Sequence, residues 1–202
     1  MKIGIDIDDT IAYTNERLIE AAVKYDKEFL NGKGFQNKDA YKFTEMFYWN
    51  KDNVQSFFNY VRGTDFFLKL DEIPGSVEYI NKLYDEGYEI YFMTFRTNKN
   101  PLVHKMTKEW LSNKGYKYHK LFMRSEDKGV LCKENEVSIF IDNTYEHYES
   151  ALSLGIDAIL FDTIYNKDID DVKRMSSWEE IYNYIKEVSN DKNCWWKTNG
   201  FR

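Results

Sequence analysis

Asp6, Asp8 and Thr10 follow an apolar run, Lys2-Ile3-Gly4-Ile5, at the start of the chain, each two residues from the next. Buried strands favour Ile and Val, and carboxylates are seldom placed where such a strand leaves the core unless something cationic or reactive meets them. Ligands settle outside the carboxyl ends of parallel strands, and two carboxylates two apart on an extended backbone lean the same way into that crevice. One of them could attack phosphorus and form an acyl phosphate, while a second carboxyl in its neutral form protonates the leaving oxygen. Mg2+ would link carboxylate to phosphate and lessen their repulsion. The plainer alternative is an acidic turn capping a helix that starts near Thr10 or Thr14.

A second apolar run repeats the design: Val137-Ser138-Ile139-Phe140-Ile141 delivers Asp142 and then Asn143. Adjacent parallel strands ending in Asp6 and Asp142 would bring two carboxylates to one point. Asp6, Asp8 and Asp142 are therefore the candidate Mg2+ ligands, with phosphate, a backbone carbonyl and waters completing an octahedron. Thr94 closes a third run, Glu89 to Met93, where a strand-end hydroxyl can donate to a phosphate oxygen together with nearby N–H groups. Beside it, Arg96 has a planar fork suited to a bidentate grip on phosphate or on substrate hydroxyls, with a surface ion pair as the alternative.

The pattern of Asp6, Asp8 and Thr10 after an apolar strand resembles the first motif of the haloacid dehalogenase superfamily of phosphatases. That resemblance implies Asp6 as nucleophile, Asp8 as general acid and then base, and Thr10 as support for the loop. Asp9 stands where many members carry Gly. Thr94 falls at the second motif, with Thr10, Phe95 and Arg96 as the substrate-contacting candidates, and Asp142 at the fourth, where Asn143 replaces a common second acid and Glu146 is a possible substitute. The third motif implies a lysine that neutralises nucleophile and phosphate. Lys128, Lys133 and Lys105 all lie in the right interval, and Lys128, opening a short helix before the Val137 run, is preferred.

Within the superfamily the chain is most similar to the 5'(3')-deoxyribonucleotidase-like group. The likeness rests on Asp6-Ile7-Asp8, Pro74-Gly75, Thr94-Phe95-Arg96, the Lys128 to Cys132 spacing, Phe161-Asp162-Thr163-Ile164-Tyr165-Asn166 and Trp178-Glu179-Glu180-Ile181. Ile164 replaces a Pro common in the late motif. The resemblance implies hydrolysis of a nucleoside monophosphate, 5' or 3', through an aspartyl phosphate. The alternatives are a sugar phosphate or a polynucleotide end as substrate, or a catalytically silent protein that binds a phosphate ligand on the same fold.

The elements that must position these residues read as an α/β fold: a Rossmann-like parallel sheet with a small helical cap inserted after the first strand. Residues 1–11 and 73–190 form the expected core, 12–72 the cap and 191–202 a tail. Leu18, Ala21, Ala22 and Tyr25 share one helical face, and Val54, Phe57, Phe58 and Val61 another. Pro74-Gly75 opens a helix, and strands are expected at 89–93, 118–123, 137–141 and, last, 158–161, before a closing helix over 178–188. The cap is rich in aromatics, which could stack a nucleobase but must also build the cap's own core. Trp195 and Trp196 could anchor the tail or form a dimer contact.

With 202 residues the chain can bury about 70 per cent of its unfolded surface and needs no disulfides. Cys132 and Cys194, far apart, offer no zinc or disulfide framework, and no leader or membrane-length apolar stretch is read, so a cytoplasmic monomer or homodimer is expected. A net charge of −6, from 28 basic and 34 acidic residues, argues against sequence-independent binding to duplex nucleic acid and leaves a single nucleotide open.

Overall fold

A computed structural model describes residues 1–40, 42–97 and 99–199, with side chains to Asn190. Strand β1 (Lys2–Ile5) is followed by α1 (Thr14–Phe29), α2 (Phe43–Met46), α3 (Lys51–Arg62) and a 3-10 turn, Phe66–Leu68. Then come α4 (Ser76–Asp85), β2 (Glu89–Thr94), α5 (Pro101–Lys114), β3 (Lys120–Met123), α6 (Lys128–Glu134), β4 (Ile139–Asp142), α7 (Tyr145–Ser153), β5 (Asp157–Phe161), β6 (Arg174–Met175) and α8 (Trp178–Asn199). The six strands form one parallel sheet in the order β3-β2-β1-β4-β5-β6.

Because side chains alternate across a strand, a sheet covered on both faces must be apolar at every position. Ile3, Ile5, Ile90, Phe92, Ile139, Ile141 and Ile159 point to one face, where Ile80, Trp110, Trp178 and Ile181 of α4, α5 and α8 cover them. Tyr91, Met93, Phe140, Ala158 and Leu160 point to the other, under Cys132 of α6 and Tyr148 and Ala151 of α7. At Gly4 a Cβ would stand 3.1 Å from Phe140 and 3.3 Å from Cys132 Sγ, so the small residue lets β1 lie close under α6.

Between β1 and α4 the chain builds a second, smaller core from Ala22, Tyr25, Met46, Phe47, Trp49, Phe57 and Val61. Asp26, buried there, accepts from Trp49 Nε1 at 2.6 Å and from Gly34 N at 2.9 Å, pinning the 30–37 loop to α1. This excursion leaves and rejoins the sheet through a narrow neck. Ala12 bridges Glu72 in antiparallel fashion, Tyr13 N donates to Asp71 O at 3.0 Å, and Ile73 N donates to Ile11 O at 2.9 Å.

Two sequence expectations change. The strand at 157–161 is not the last, since Arg174–Met175 adds a two-residue edge beside it, too short to leave a periodic signal. The closing helix does not stop at Val188 but runs to Asn199. The contacts expected of Trp195 and Trp196 fall on side chains outside the described residues. Among the described residues no helix is long and apolar enough to cross a membrane, and Cys132 is a buried free thiol.

Candidate active site

The carboxyl ends of β2, β1 and β4 lie side by side at the centre of the sheet, where the strand order reverses and a crevice opens. Asp6 extends β1 by one step, its N–H donating to Ile141 O at 2.9 Å. Asp142 ends β4, and its Oδ1 accepts from Thr144 N at 2.8 Å. Lys128, at the start of α6, reaches between them: its Nζ lies 2.5 Å from Asp6 Oδ1 and 2.8 Å from Asp142 Oδ2. All three side chains are buried. Lys133 and Lys105, the other lysines considered, are exposed, and Lys133 donates to the Leu154 carbonyl.

One ammonium therefore serves two buried carboxylates. Burial pushes the Asp6 carboxyl up to about 8, and Asp142 and Asp8 add to that against Lys128. Burial would lower Lys128, but Asp142 and Asp6 outweigh it and hold its ammonium charged. Two carboxyls thus share one ammonium, and a second cation beside them would favour ionisation of Asp6; the donors are hard oxygens, with the Thr10 hydroxyl and the Asn143 amide oxygen close by. Such a donor set fits Mg2+, which takes one or two carboxylates together with substrate phosphate and water. Glu146, considered as a replacement for the missing second acid, is exposed on the first turn of α7.

Asp8 has different company. Arg96 Nε lies 3.0 and 3.1 Å from its two oxygens and Nη2 2.7 Å from Oδ1, while Thr14 Oγ1 donates at 2.6 Å and Thr94 Oγ1 at 3.2 Å. Burial would raise this carboxyl, but the Arg96 guanidinium and the Thr14 hydroxyl outweigh it and hold it below the usual carboxylate range. The Asp8 carboxylate, expected as a metal ligand, is accordingly turned to Arg96, Thr14 and Thr94 rather than to the Asp6–Asp142 pair. Arg96, expected to grip a phosphate, is buried and grips Asp8. Its Nη1 donates to Thr107 Oγ1 at 3.3 Å, and its guanidinium lies 4.6 Å from the centre of the Phe67 ring. Thr94, expected to donate to phosphate, donates to Asp8.

Thr10 is fully buried behind the acids: its hydroxyl lies 3.4 Å from Asp6 Oδ2 and 3.5 Å from Asn143 Oδ1, and its carbonyl accepts from Trp178 Nε1 at 3.0 Å. It braces the loop rather than facing open space. Phe95 is 63% exposed beside a cavity of about 750 Å³ whose wall also holds Asp8, Arg96, Phe43, Phe58 and Phe67. Of the cap aromatics, Phe47, Trp49 and Phe57 are buried in the cap's own core, whereas Phe43 and Phe58 reach the cavity.

Three contributors escaped sequence reasoning. Asp9 takes a left-handed backbone (φ 57) and accepts from Thr14 N and Asn15 N, both at 2.9 Å, so it caps α1 and turns Thr14 toward Asp8. Thr14 carried only a helix-start signal. Asn166, in the late Phe161–Asn166 motif, donates 2.8 Å bonds to the carbonyls of Asn143 and Phe161 and accepts from Arg174, steadying the turn after Asp142.

Gly129 fixes the height of Lys128. A Cβ there would stand 2.2 Å from Ser150 Oγ and 2.6 Å from the Ser150 carbonyl carbon, so α6 meets the α7 backbone at that residue. Gly129→Ala is expected to lower stability by about 1 to 3 kcal/mol through overpacking and to cut turnover by displacing the ammonium. Urea unfolding and kcat measured on the same preparation check both, and an unchanged kcat would show that Lys128 keeps its place.

The sequence model described as "5' nucleotidase, deoxy (Pyrimidine), cytosolic type C protein" matches residues 1–191. The 5'(3')-deoxyribonucleotidases of Bacillus subtilis strain 168 and of Bacillus phage SPbeta are each 30% identical over 182 residues, covering 89% of this chain and 95% of theirs. Among solved structures, a haloacid dehalogenase-like family hydrolase from Streptococcus pneumoniae superposes with a TM-score of 0.65 at 16% identity, over 91% of this chain and 97% of that one.

Proposed function

The chain belongs to the cytosolic type C 5' nucleotidase family, and from that premise we propose that it is a Mg2+-dependent phosphomonoesterase that hydrolyses a deoxyribonucleoside monophosphate through an aspartyl phosphate. The observation that carries this reading is the convergence of Asp6 and Asp142 on Lys128 at the ends of adjacent strands, beside a cavity of about 750 Å³ walled by aromatic rings. Supporting the substrate class are the relatives named 5'(3')-deoxyribonucleotidase. A cytoplasmic setting goes with it, residues 12–72 acting as the cap over the crevice.

In this reading an Asp6 oxygen bonds to phosphorus as the ester P–O bond breaks, and Asp8 gives its proton to the departing oxygen. Water then attacks the phosphorus, its proton passes to Asp8, and the acyl phosphate opens to restore the Asp6 carboxylate. Lys128 holds the nucleophile in line and offsets charge on the phosphate. Arg96 keeps Asp8 ionised before substrate arrives, so an Arg96 that turns its fork from Asp8 to the incoming phosphate would release that carboxyl to take up a proton. Asp6, Asp142 and the Asp8 carbonyl would hold Mg2+, which when bound neutralises charge between carboxylate and phosphate.

The direct test is a panel of deoxynucleoside 5'- and 3'-monophosphates against sugar phosphates, with MgCl2 and with EDTA. Deoxynucleotides are expected to give the higher kcat/KM, and EDTA to abolish turnover. Preference for sugar phosphates would overturn the substrate class, and full activity in EDTA the metal.

A further inference from the structure

We propose that the seam between cap and core carries a second anion subsite, formed by Arg62 and Lys99, and that the preferred substrate is a nucleotide bearing two phosphates, one cleaved and the other held at the seam. This rests on the nucleotidase reading above and specifies its substrate. Both residues line the cavity that holds Asp8. Arg62 ends α3 in the cap, and Lys99 lies in the core loop between β2 and α5. They are brought together across the seam, because the side-chain amide of Asn100 donates to the Arg62 backbone carbonyl at 3.5 Å.

What sets them apart is their charge balance. Arg96 is paired with Asp8, Arg124 with Glu126 at 2.9 Å, and Lys42 with Glu45 at 3.5 Å, all on the same cavity wall or next to it. Among the described residues no carboxylate pairs with Arg62 or Lys99. Arg62 Nη1 donates to Asn59 Oδ1 at 3.3 Å and the guanidinium lies 5.7 Å from the centre of the Phe58 ring, which leaves most of its five N–H donors unspent. The 14-residue helix α5 opens at the same place with no acid in its first turn, adding positive potential. A monophosphate brings a single phosphate, which Asp6 and Lys128 engage. Two unneutralised cations on the wall of the cavity that Asp8 shares match a second phosphate, and the Phe58 and Phe43 rings on that wall offer faces for the base. The reaction is the same hydrolysis: water cleaves one phosphate ester to release inorganic phosphate, and the ester held at the seam is unchanged.

The test compares deoxyadenosine 5'-monophosphate, deoxyadenosine 3',5'-bisphosphate and a 5'-phosphorylated tetradeoxynucleotide, using the full chain and the Arg62→Ala, Lys99→Ala and double variants. The bisphosphate is expected to exceed the monophosphate in kcat/KM by about tenfold or more, mostly through KM. The double variant should remove that advantage while lowering monophosphate turnover less than about threefold. Calorimetric binding of the mono- and bisphosphate to Asp6→Asn should show the same order without turnover. An advantage found for the tetranucleotide alone keeps the subsite and makes its ligand a strand end. Equal values for all three substrates would overturn the proposal, as would variants that weaken all of them equally and more so at low salt, since the cations would then only steer anions. Absence of all deoxynucleotide hydrolysis would instead sink the nucleotidase reading, and the binding comparison would still decide the subsite.

Discussion

Replacing Asp6 with Asn is expected to lower turnover of p-nitrophenyl phosphate by roughly four to six orders of magnitude, the scale seen when a covalent nucleophile is removed, while the protein stays folded. The amide keeps an oxygen for Lys128, which sits 2.5 Å from the Asp6 carboxylate. It also removes a charge that the surroundings already disfavour, burial having pushed that carboxyl up to about 8. Melting temperature should therefore hold or rise. The decisive measurements are kcat with a phosphate-release assay and a thermal melt on the same sample. A variant within tenfold of the parent would remove Asp6 from the chemistry, and with it the acyl-phosphate route.

Lys128→Ala acts in the opposite sense on stability. It strips the cation that lies between Asp6 and Asp142, two carboxylates with almost no exposure, and breaking a buried ion pair by removing one partner costs about 3 to 5 kcal/mol. For a chain of this size that is on the order of 10 °C in melting temperature. Turnover should collapse as well, because nothing then orients the nucleophile. Adding Asp142→Asn to Lys128→Ala should return much of the lost stability without returning activity, which separates the charge imbalance from the catalytic loss. A single variant that melts with the parent would mean that the ammonium is not what balances these acids.

How much of this could be read from the sequence follows the range of the interactions. The runs before Asp6 and Asp142 are local signals, fully buried strands handing a carboxylate to the crevice, and the parallel sheet follows from their alternation with helices. Lys128 could be narrowed to three candidates but not chosen by periodicity, since its reach depends on Gly129 letting α6 touch α7. Arg96 was legible as a fork in need of an anion, yet its partner lies 88 positions away, and no local pattern tells a phosphate from Asp8. Thr14, Asp9 and Asn166 act through a cap, a left-handed turn and hydrogen bonds between loops, features that Asp, Asn and Thr make throughout proteins. Which cap rings would be buried was equally hidden: Phe57 and Phe58 are neighbours in sequence, and one fills the cap's core while the other faces the cavity.

The paired backbone at Ala12 and Glu72 means that the excursion over the crevice starts and finishes at adjoining points. Lengthening a flexible connection costs only about 0.6 kcal/mol for each doubling, so the sheet would hardly register the size of whatever is spliced in. Chimeras that retain residues 1–12 and 72–190 and graft a foreign segment between them would be an economical way to reprogram which ester the same acids cleave.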